Sequence, residues 1–268
     1  MNSLIQIPNL NMVASGAGSH VLEHAPEIVK EAVDLSGAEK PVVLTIGTAE
    51  PSLEWYNEFV ELTQEKFGKL GATVVNLHEF GQAPSEQEAI DKISRANTIW
   101  VAGGDTLHMI DFWKEHDIDQ LLRNAAESGT VMSGGSAGML SWMSQGHSDS
   151  LSYRVAEGED WDYIFVPGLG YIDATACPHF DSVRSSNSEP RKLDFIRKYM
   201  AKANNALPKT AIGFDNMAAL VISNGLYRVI SSPDTKFPNG GIHVMKKTEK
   251  DLSIERLPVS KQFLPFEI

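Results

Sequence analysis

The chain has 268 residues, 42% hydrophobic and 22% charged, a globular composition with enough apolar material for a sizeable core. Its formal net charge of −12 repels phosphate backbones and anionic lipid, and Lys246-Lys247 is too short a basic run to offset that, so neither nucleic acid nor a membrane surface is an expected partner. The single Cys177 excludes an intramolecular disulfide, the first residues do not read as a signal peptide, and no apolar run approaches the roughly 20 residues that span a bilayer, so a cytoplasmic protein is expected.

In chain order, Ala14-Ser15-Gly16-Ala17-Gly18 reads as a structural glycine turn. Pro41 to Gly47 is apolar on both faces and ends at glycine, as a buried parallel strand does. Leu53 to Leu70 follows with Tyr56, Phe59, Val60 and Phe67 at near-helical spacing, and Gly71 stands at the helix stop. Ala72 to Leu77 is the next strand and Ser85 to Ala96 the next helix, opened by a capping box of Ser85 and Glu88. Thr98 to Ala102 is a strand that runs into Gly103-Gly104-Asp105-Thr106, followed by helix from Leu107 to about Ser128 with a break near Asp117. Thr130 to Ser133 is another strand, and the chain turns at the glycines around Ser136 into an apolar helical stretch at Met139 to Met143. This alternation predicts an α/β fold with a mainly parallel sheet and helices on both faces.

Beyond a helix near Pro190 to Lys202 the pattern changes. Ala211–Ser223, Leu226–Ser231, Gly241–Lys246 and Leu252–Leu257 alternate and are separated by turn signals, which predicts an antiparallel C-terminal extension of the same sheet. No repeat or linker divides the chain, so residues 1–268 are expected to form a single domain.

Gly134-Gly135-Ser136-Ala137-Gly138 matches G-x-S-x-G between a β-branched strand and an apolar helix. That setting holds a serine in a strained strand-to-helix turn with its Oγ exposed, and small neighbours are needed because the backbone folds tightly on itself. The Ala137 amide would point where an oxyanion forms. A serine needs a base, and His179, in Ala176-Cys177-Pro178-His179-Phe180-Asp181, follows a strand-like segment and a proline at what would be the same end of the sheet. The other seven histidines form no H-E-x-x-H or Cys/His cluster, so no metal site is expected. Asp149 lies between nucleophile and base and is a candidate third member, with Glu157 and Asp215 as competitors. Gly103-Gly104-Asp105-Thr106 lacks the phosphate-loop patterns and suits a turn that donates an amide to the same oxyanion.

The ordered set Gly-Gly-Asp-Thr, Gly-x-Ser-Ala-Gly, Ser-Asp-Ser and Cys-Pro-His-Phe, from about Pro41 to about Leu220, resembles the serine peptidase family of dipeptidase E (α-aspartyl dipeptidase) and cyanophycinase. The resemblance implies a fold related to the class I glutamine amidotransferase domain. It implies Ser136 as nucleophile, His179 as base, Asp149 as acid, and the Gly104 and Ala137 amides as the oxyanion hole. Asp105 replaces an asparagine common in dipeptidase E, and it and Arg184 are candidate substrate contacts. The implied substrate is a short peptide such as an Asp-X dipeptide. Acyl-serine chemistry requires no metal or organic cofactor. A cyanophycinase-like peptidase and a non-catalytic amidotransferase-like binding module are the competing readings. The oligomeric state is left open, a homodimer included.

Overall fold

The protein is seen in a computed structural model that describes residues 4–156, 158–183, 188–202, 206–238, 240–248 and 251–266. The alternating apolar runs of the first half become β1 (Met12–Ser15), α1 (Ser19–His24), α2 (Pro26–Asp34), β2 (Val42–Ile46), α3 (Leu53–Lys69), β3 (Thr73–Asn76), α4 (Glu86–Arg95), β4 (Thr98–Val101), α5 (Thr106–Glu115), α6 (Ile118–Glu127) and β5 (Val131–Gly135). The capping box forms, with Ser85 Oγ accepting from the Glu88 amide and the Glu88 carboxylate accepting from the Ser85 amide. The expected helix break falls at Asp117, which takes a left-handed φ of 56° between α5 and α6.

The second half supplies α7 (Ala137–Leu140), β6 (Met143–Ser148), β7 (Ile164–Pro167), β8 (Ile172–Cys177), α8 (Arg191–Ala201), β9 (Thr210–Phe214), β10 (Ala218–Ser223), β11 (Leu226–Ser231), β12 (Ile242–Lys247), β13 (Leu252–Arg256) and β14 (Leu264–Pro265). The helical stretch expected at Met139 to Met143 is shorter and earlier, because the chain leaves α7 directly for β6.

Among the described residues the strands form two sheets rather than the single extended sheet expected. One has the order β14-β11-β10-β1-β5-β4-β2-β3, the other β13-β12-β9-β8-β6-β7. In the first, β1, β5, β4, β2 and β3 run parallel, while β10, β11 and β14 add antiparallel. In the second, β6, β8 and β9 are parallel and the flanking pairs antiparallel. The expected C-terminal extension is therefore shared between two sheets. The run Ala211–Ser223 is not one strand: it breaks after Phe214, leaving β9 in one sheet and sending β10 to pair with β1 in the other.

The two-residue period of the strands sorts the core onto two faces. Val13, Val43, Trp100 and Val131 pack against α1, α2 and α3 through Val21, Ile28 and Phe67. Their neighbours Met12, Leu44, Ile99 and Met132 face Ile93, Trp113 and Leu122 of α4 to α6, and the same cluster continues into Ala174, Ile212 and Phe214 of the second sheet. Phe195 and Tyr199 of α8 cover Cys177, Ala211 and Met245. Among the described residues no helix is long and apolar enough to cross a membrane.

Candidate active site

Three loops leave the carboxyl ends of parallel strands and meet over one cleft. Ser136 stands between β5 and α7 with φ 54° and ψ −119°, a conformation that costs a non-glycine residue energy and is kept only where its surroundings impose it. They do so here: a Cβ on the preceding Gly135 would lie 1.9 Å from the Ala17 carbonyl oxygen, and the Ser136 amide is tied to the Ser15 carbonyl at 3.3 Å. The glycine turn at Ala14 to Gly18, expected to be structural, thus buttresses the elbow and also lines the cleft through Ala17 and Gly18.

His179 follows β8 and Asn216 follows β9, and because these strands are parallel neighbours the two loops emerge side by side. His179 also has positive φ, 127°, and the Phe180 amide beside it donates to the Phe214 carbonyl at 3.0 Å. Its Nε2 is 2.6 Å from Ser136 Oγ and its Nδ1 is 2.9 Å from Asn216 Oδ1. Asn216 Nδ2 donates to Asp181 Oδ1 at 2.6 Å and to Ser182 Oγ at 2.8 Å. This fixes the amide orientation, since the reverse would set its oxygen against the Asp181 carboxylate. With Oδ1 facing the ring, the proton belongs on Nδ1, and Nε2 is left as the acceptor opposite the serine hydroxyl.

Loss of water around the ring, reinforced by Arg191, pushes His179 down to about 4, while the Asn216 hydrogen bond and Asp149 oppose that shift. The imidazole is therefore neutral at physiological pH and able to take a proton. Burial raises Asp181 above the ordinary carboxylate range, against hydrogen bonds from Asn216 that lower it.

The expected placement of Asp149 against the imidazole is corrected by this geometry. Asp149 lines the cleft, but its charged partner is Arg191 Nη1 at 3.5 Å, and it reaches His179 only through space. Asp215 turns away to His243 Nε2 at 3.0 Å, and Glu157 lies outside the described residues. Asn216 and Asp181 escape a reading that looks for a carboxylate at the ring. Both stand in motifs the sequence makes conspicuous, one residue after Asp215 and two after His179.

Gly104 has φ 125°, and a Cβ there would come within 2.0 Å of the Ala49 carbonyl oxygen. The neighbouring Gly103 lies against Ser136, its Cβ position 3.4 Å from the serine Cβ. Ala137 opens α7, so its amide has no acceptor within the helix. Asp105, expected from sequence to be a substrate contact, is occupied otherwise. It caps α5 by accepting from the His108 amide at 3.1 Å and pairs with Arg154 at 2.6 Å, and it lines an adjoining cavity instead of the Ser136 cleft. Arg184 lies outside the described residues. The Ser-Asp-Ser motif anchors α5, with Ser150 Oγ accepting from the Leu107 amide at 3.0 Å and Ser148 Oγ donating to Thr106 Oγ1 at 3.0 Å.

The cleft, about 260 Å³, is lined by Ser136, His179, Asn216, Gly103 and Gly104 and rimmed by Glu50, Trp55 and Lys236. At its edge, His20, Glu23 and His24 bring one ligand atom each within 4.8 Å of the others, close enough to hold a metal ion. The spacing His20-x-x-Glu23-His24 is legible in the sequence, although it matches neither H-E-x-x-H nor a Cys/His cluster.

The sequence model for peptidase family S51 matches residues 12–230. The chain is 23% identical to the uncharacterized peptidase YgaJ of Bacillus subtilis (strain 168), over 82% of this chain and 87% of that one. Among solved structures, a peptidase from an acI-B1 Actinobacterium superposes with a TM-score of 0.67 at 17% identity, covering 97% of this chain and 98% of the other. A protein designated peptidase E from Listeria monocytogenes EGD-e gives 0.60 at 17% identity, covering 83% and 98%. At that identity the two structures speak to the fold.

Proposed function

The chain belongs to peptidase family S51, the serine peptidase family of dipeptidase E and cyanophycinase, and on that premise we propose that it hydrolyses short peptides through an acyl enzyme on Ser136. The observation that carries this reading is the 2.6 Å approach of His179 Nε2 to the Oγ of a serine held in a strained elbow. A merely structural serine would not require that backbone conformation.

His179 takes the hydroxyl proton as Oγ attacks the scissile carbonyl. The amides of Ala137 and Gly104 receive the oxyanion. His179 then delivers the proton to the leaving amine, the C–N bond breaks, and the acyl serine remains. Water enters, gives a proton to His179 and attacks the ester. As the acyl C–Oγ bond breaks, His179 returns that proton to Oγ, which releases the acid and restores the serine. Asn216 keeps the ring in the tautomer that leaves Nε2 free. It brings no charge to the imidazolium, unlike the aspartate of a Ser-His-Asp triad, and Asp181 lends its charge one residue removed. The Asn216 arrangement parallels the Cys-His-Asn set of papain-like proteases.

A cleft of about 260 Å³ favours short substrates, and Asp-X dipeptides are the first to test. The elbow after a parallel strand supports kinship with class I glutamine amidotransferase domains. The core cluster that runs from the first sheet into the second supports one catalytic domain over residues 1–268. The one cysteine fits a reducing cytoplasm.

Ser136→Ala should keep the fold by circular dichroism and lose turnover of a dipeptide panel by about 10⁴-fold or more. Retention of activity within tenfold of the parent would refute the nucleophile.

A further inference from the structure

The loop between β2 and α3 carries a carboxylate that the acyl-transfer reaction leaves unused. Glu50 is only 7% exposed, yet among the described residues its carboxylate makes no hydrogen bond and no ion pair. Its position is well held: the Glu50 amide donates to the Gly47 carbonyl at 3.0 Å, and the preceding Ala49 carbonyl accepts from the Asp105 amide at 2.8 Å, next to the Gly104 turn. Glu50 lines the Ser136 cleft with Trp55, and with Trp55 it also lines a neighbouring cavity of about 420 Å³ walled by Glu23, Glu58, Glu61 and Glu65.

A buried carboxylate without a partner is costly, and most proteins pair it or leave it out. Nothing among the described residues compensates it. Burial, reinforced by Glu58, pushes Glu50 up to about 8, with no cation opposing the shift. Lys236 shares the cleft, but it sits over the Phe237 ring at 5.3 Å and forms no ion pair with Glu50. Trp55 is 53% exposed at the start of α3, its indole available to an incoming group. An uncompensated acid, further acids beyond it and an open aromatic face together describe a receptor for positive charge.

We propose that Glu50 and Trp55 form a cation subsite that holds a positively charged group of the peptide whose carbonyl is attacked at Ser136. The inference rests on the reading of Ser136 as nucleophile and adds a substrate class to it. The cation is an ammonium or guanidinium, supplied by a free peptide N-terminus or by a lysine or arginine side chain. Binding of the cation draws the proton off Glu50 into the buffer, the carboxylate then accepts a charge-assisted hydrogen bond from the cation, and Trp55 supplies a cation–π wall. An aspartate side chain is repelled from this subsite, whereas the free N-terminus of an Asp-X dipeptide fits it.

Calorimetric titration at pH 7 with four small amides tests this without turnover. Argininamide carries both cations, N-acetylargininamide the guanidinium, norleucinamide the ammonium, and N-acetylnorleucinamide neither. The wild-type chain should bind cationic probes and discriminate against the neutral one, and Glu50→Gln should weaken cationic binding by about tenfold or more. Which single-cation probe binds identifies the source of the charge. Trp55→Ala, at an exposed position, should weaken the same probes with the fold intact, which guards against a folding defect in Glu50→Gln. Equal binding of the neutral probe, unchanged affinity in both variants, or no cationic probe bound at millimolar concentration would overturn the subsite. Turnover by Ser136→Ala would instead defeat the nucleophile, and the titrations would still decide the subsite.

Discussion

Two groupings of a hydroxyl or thiol, a histidine and a partner sit close together in this molecule, and only one has the access and backbone geometry that the proposed acyl transfer needs. In the first, Ser136, His179 and Asn216 are joined at 2.6 Å and 2.9 Å. In the other, Cys177 Sγ lies 3.6 Å from His147 Nδ1, and His147 Nε2 lies 2.8 Å from Asp194. Residue type alone would rank the cysteine group as the more reactive, since it has a thiol and a true carboxylate. Its surroundings cancel that. Cys177 and His147 are completely buried, burial pushes the thiol up to about 12, and the His147 ring is stacked on Tyr163 at 4.5 Å. His147 and Cys177 lie in ordinary strand, whereas Ser136 and His179 both have positive φ. Under the proposed mechanism, reactivity follows access and imposed backbone strain rather than residue identity.

The largest test of that contrast exchanges the fates of the two histidines. His179→Ala should lower kcat/KM by about 10⁴- to 10⁶-fold with the melting temperature near the parent's. His147→Ala should do the reverse. It opens a core cavity and breaks a buried hydrogen bond, so a stability loss of about 2–4 kcal/mol in urea is expected while the folded fraction keeps its turnover. If His147→Ala abolished activity in fully folded protein, the distinction would fail.

A smaller effect is expected at the turn beside the elbow. Gly104→Ala places a Cβ 2.0 Å from the Ala49 carbonyl oxygen at a φ of 125°, so the turn has to move. If the Gly104 amide is the oxyanion donor proposed for it, its displacement should lower kcat about 10²- to 10³-fold. An unaltered kcat in steady-state assays would remove Gly104 from the oxyanion hole.

The smallest effect separates the roles of Asn216 and Asp181. In the proposed mechanism the active imidazole is the neutral one, and it is lost as pH falls through about 4. The double exchange Asn216→Asp with Asp181→Asn keeps one acid and one amide in contact but sets the charge against the ring. It stabilises the imidazolium and raises the His179 pKa by about 1–3 units. The acid limb of the kcat/KM profile should move upward accordingly, leaving the exchanged protein less active than the parent at pH 5. An unmoved limb would show that Asn216 does not set the ring's proton affinity.

The elbow and the position of the histidine that faces it were legible because each depends on local chemistry. Ser136 needs small neighbours between strand and helix, and the β-branched run before it and the glycines around it spell that out. His179 follows a strand and a proline, which already places it at a strand end. The third member was not legible in the same way. Asp149 had the right charge and chain order, yet it settles beside Arg191, a residue 42 positions away. Asp215 and Asn216 are adjacent, and one meets His243 while the other meets His179. A single position decides between them, and composition offers no preference.

By itself, the sequence determined the alternation of strand and helix, the glycine turns, the serine in its elbow and the histidine after its strand. These follow from the period of apolar side chains and from backbone shapes that few residues tolerate. The tertiary structure alone decided that the strands divide into two sheets, that the run from Ala211 to Ser223 breaks to serve both, and that Asn216 rather than Asp149 holds the imidazole. It also left Glu50 buried at the rim of the cleft with no partner among the described residues. Such outcomes depend on which distant segments pack together, and local pattern carries no record of that.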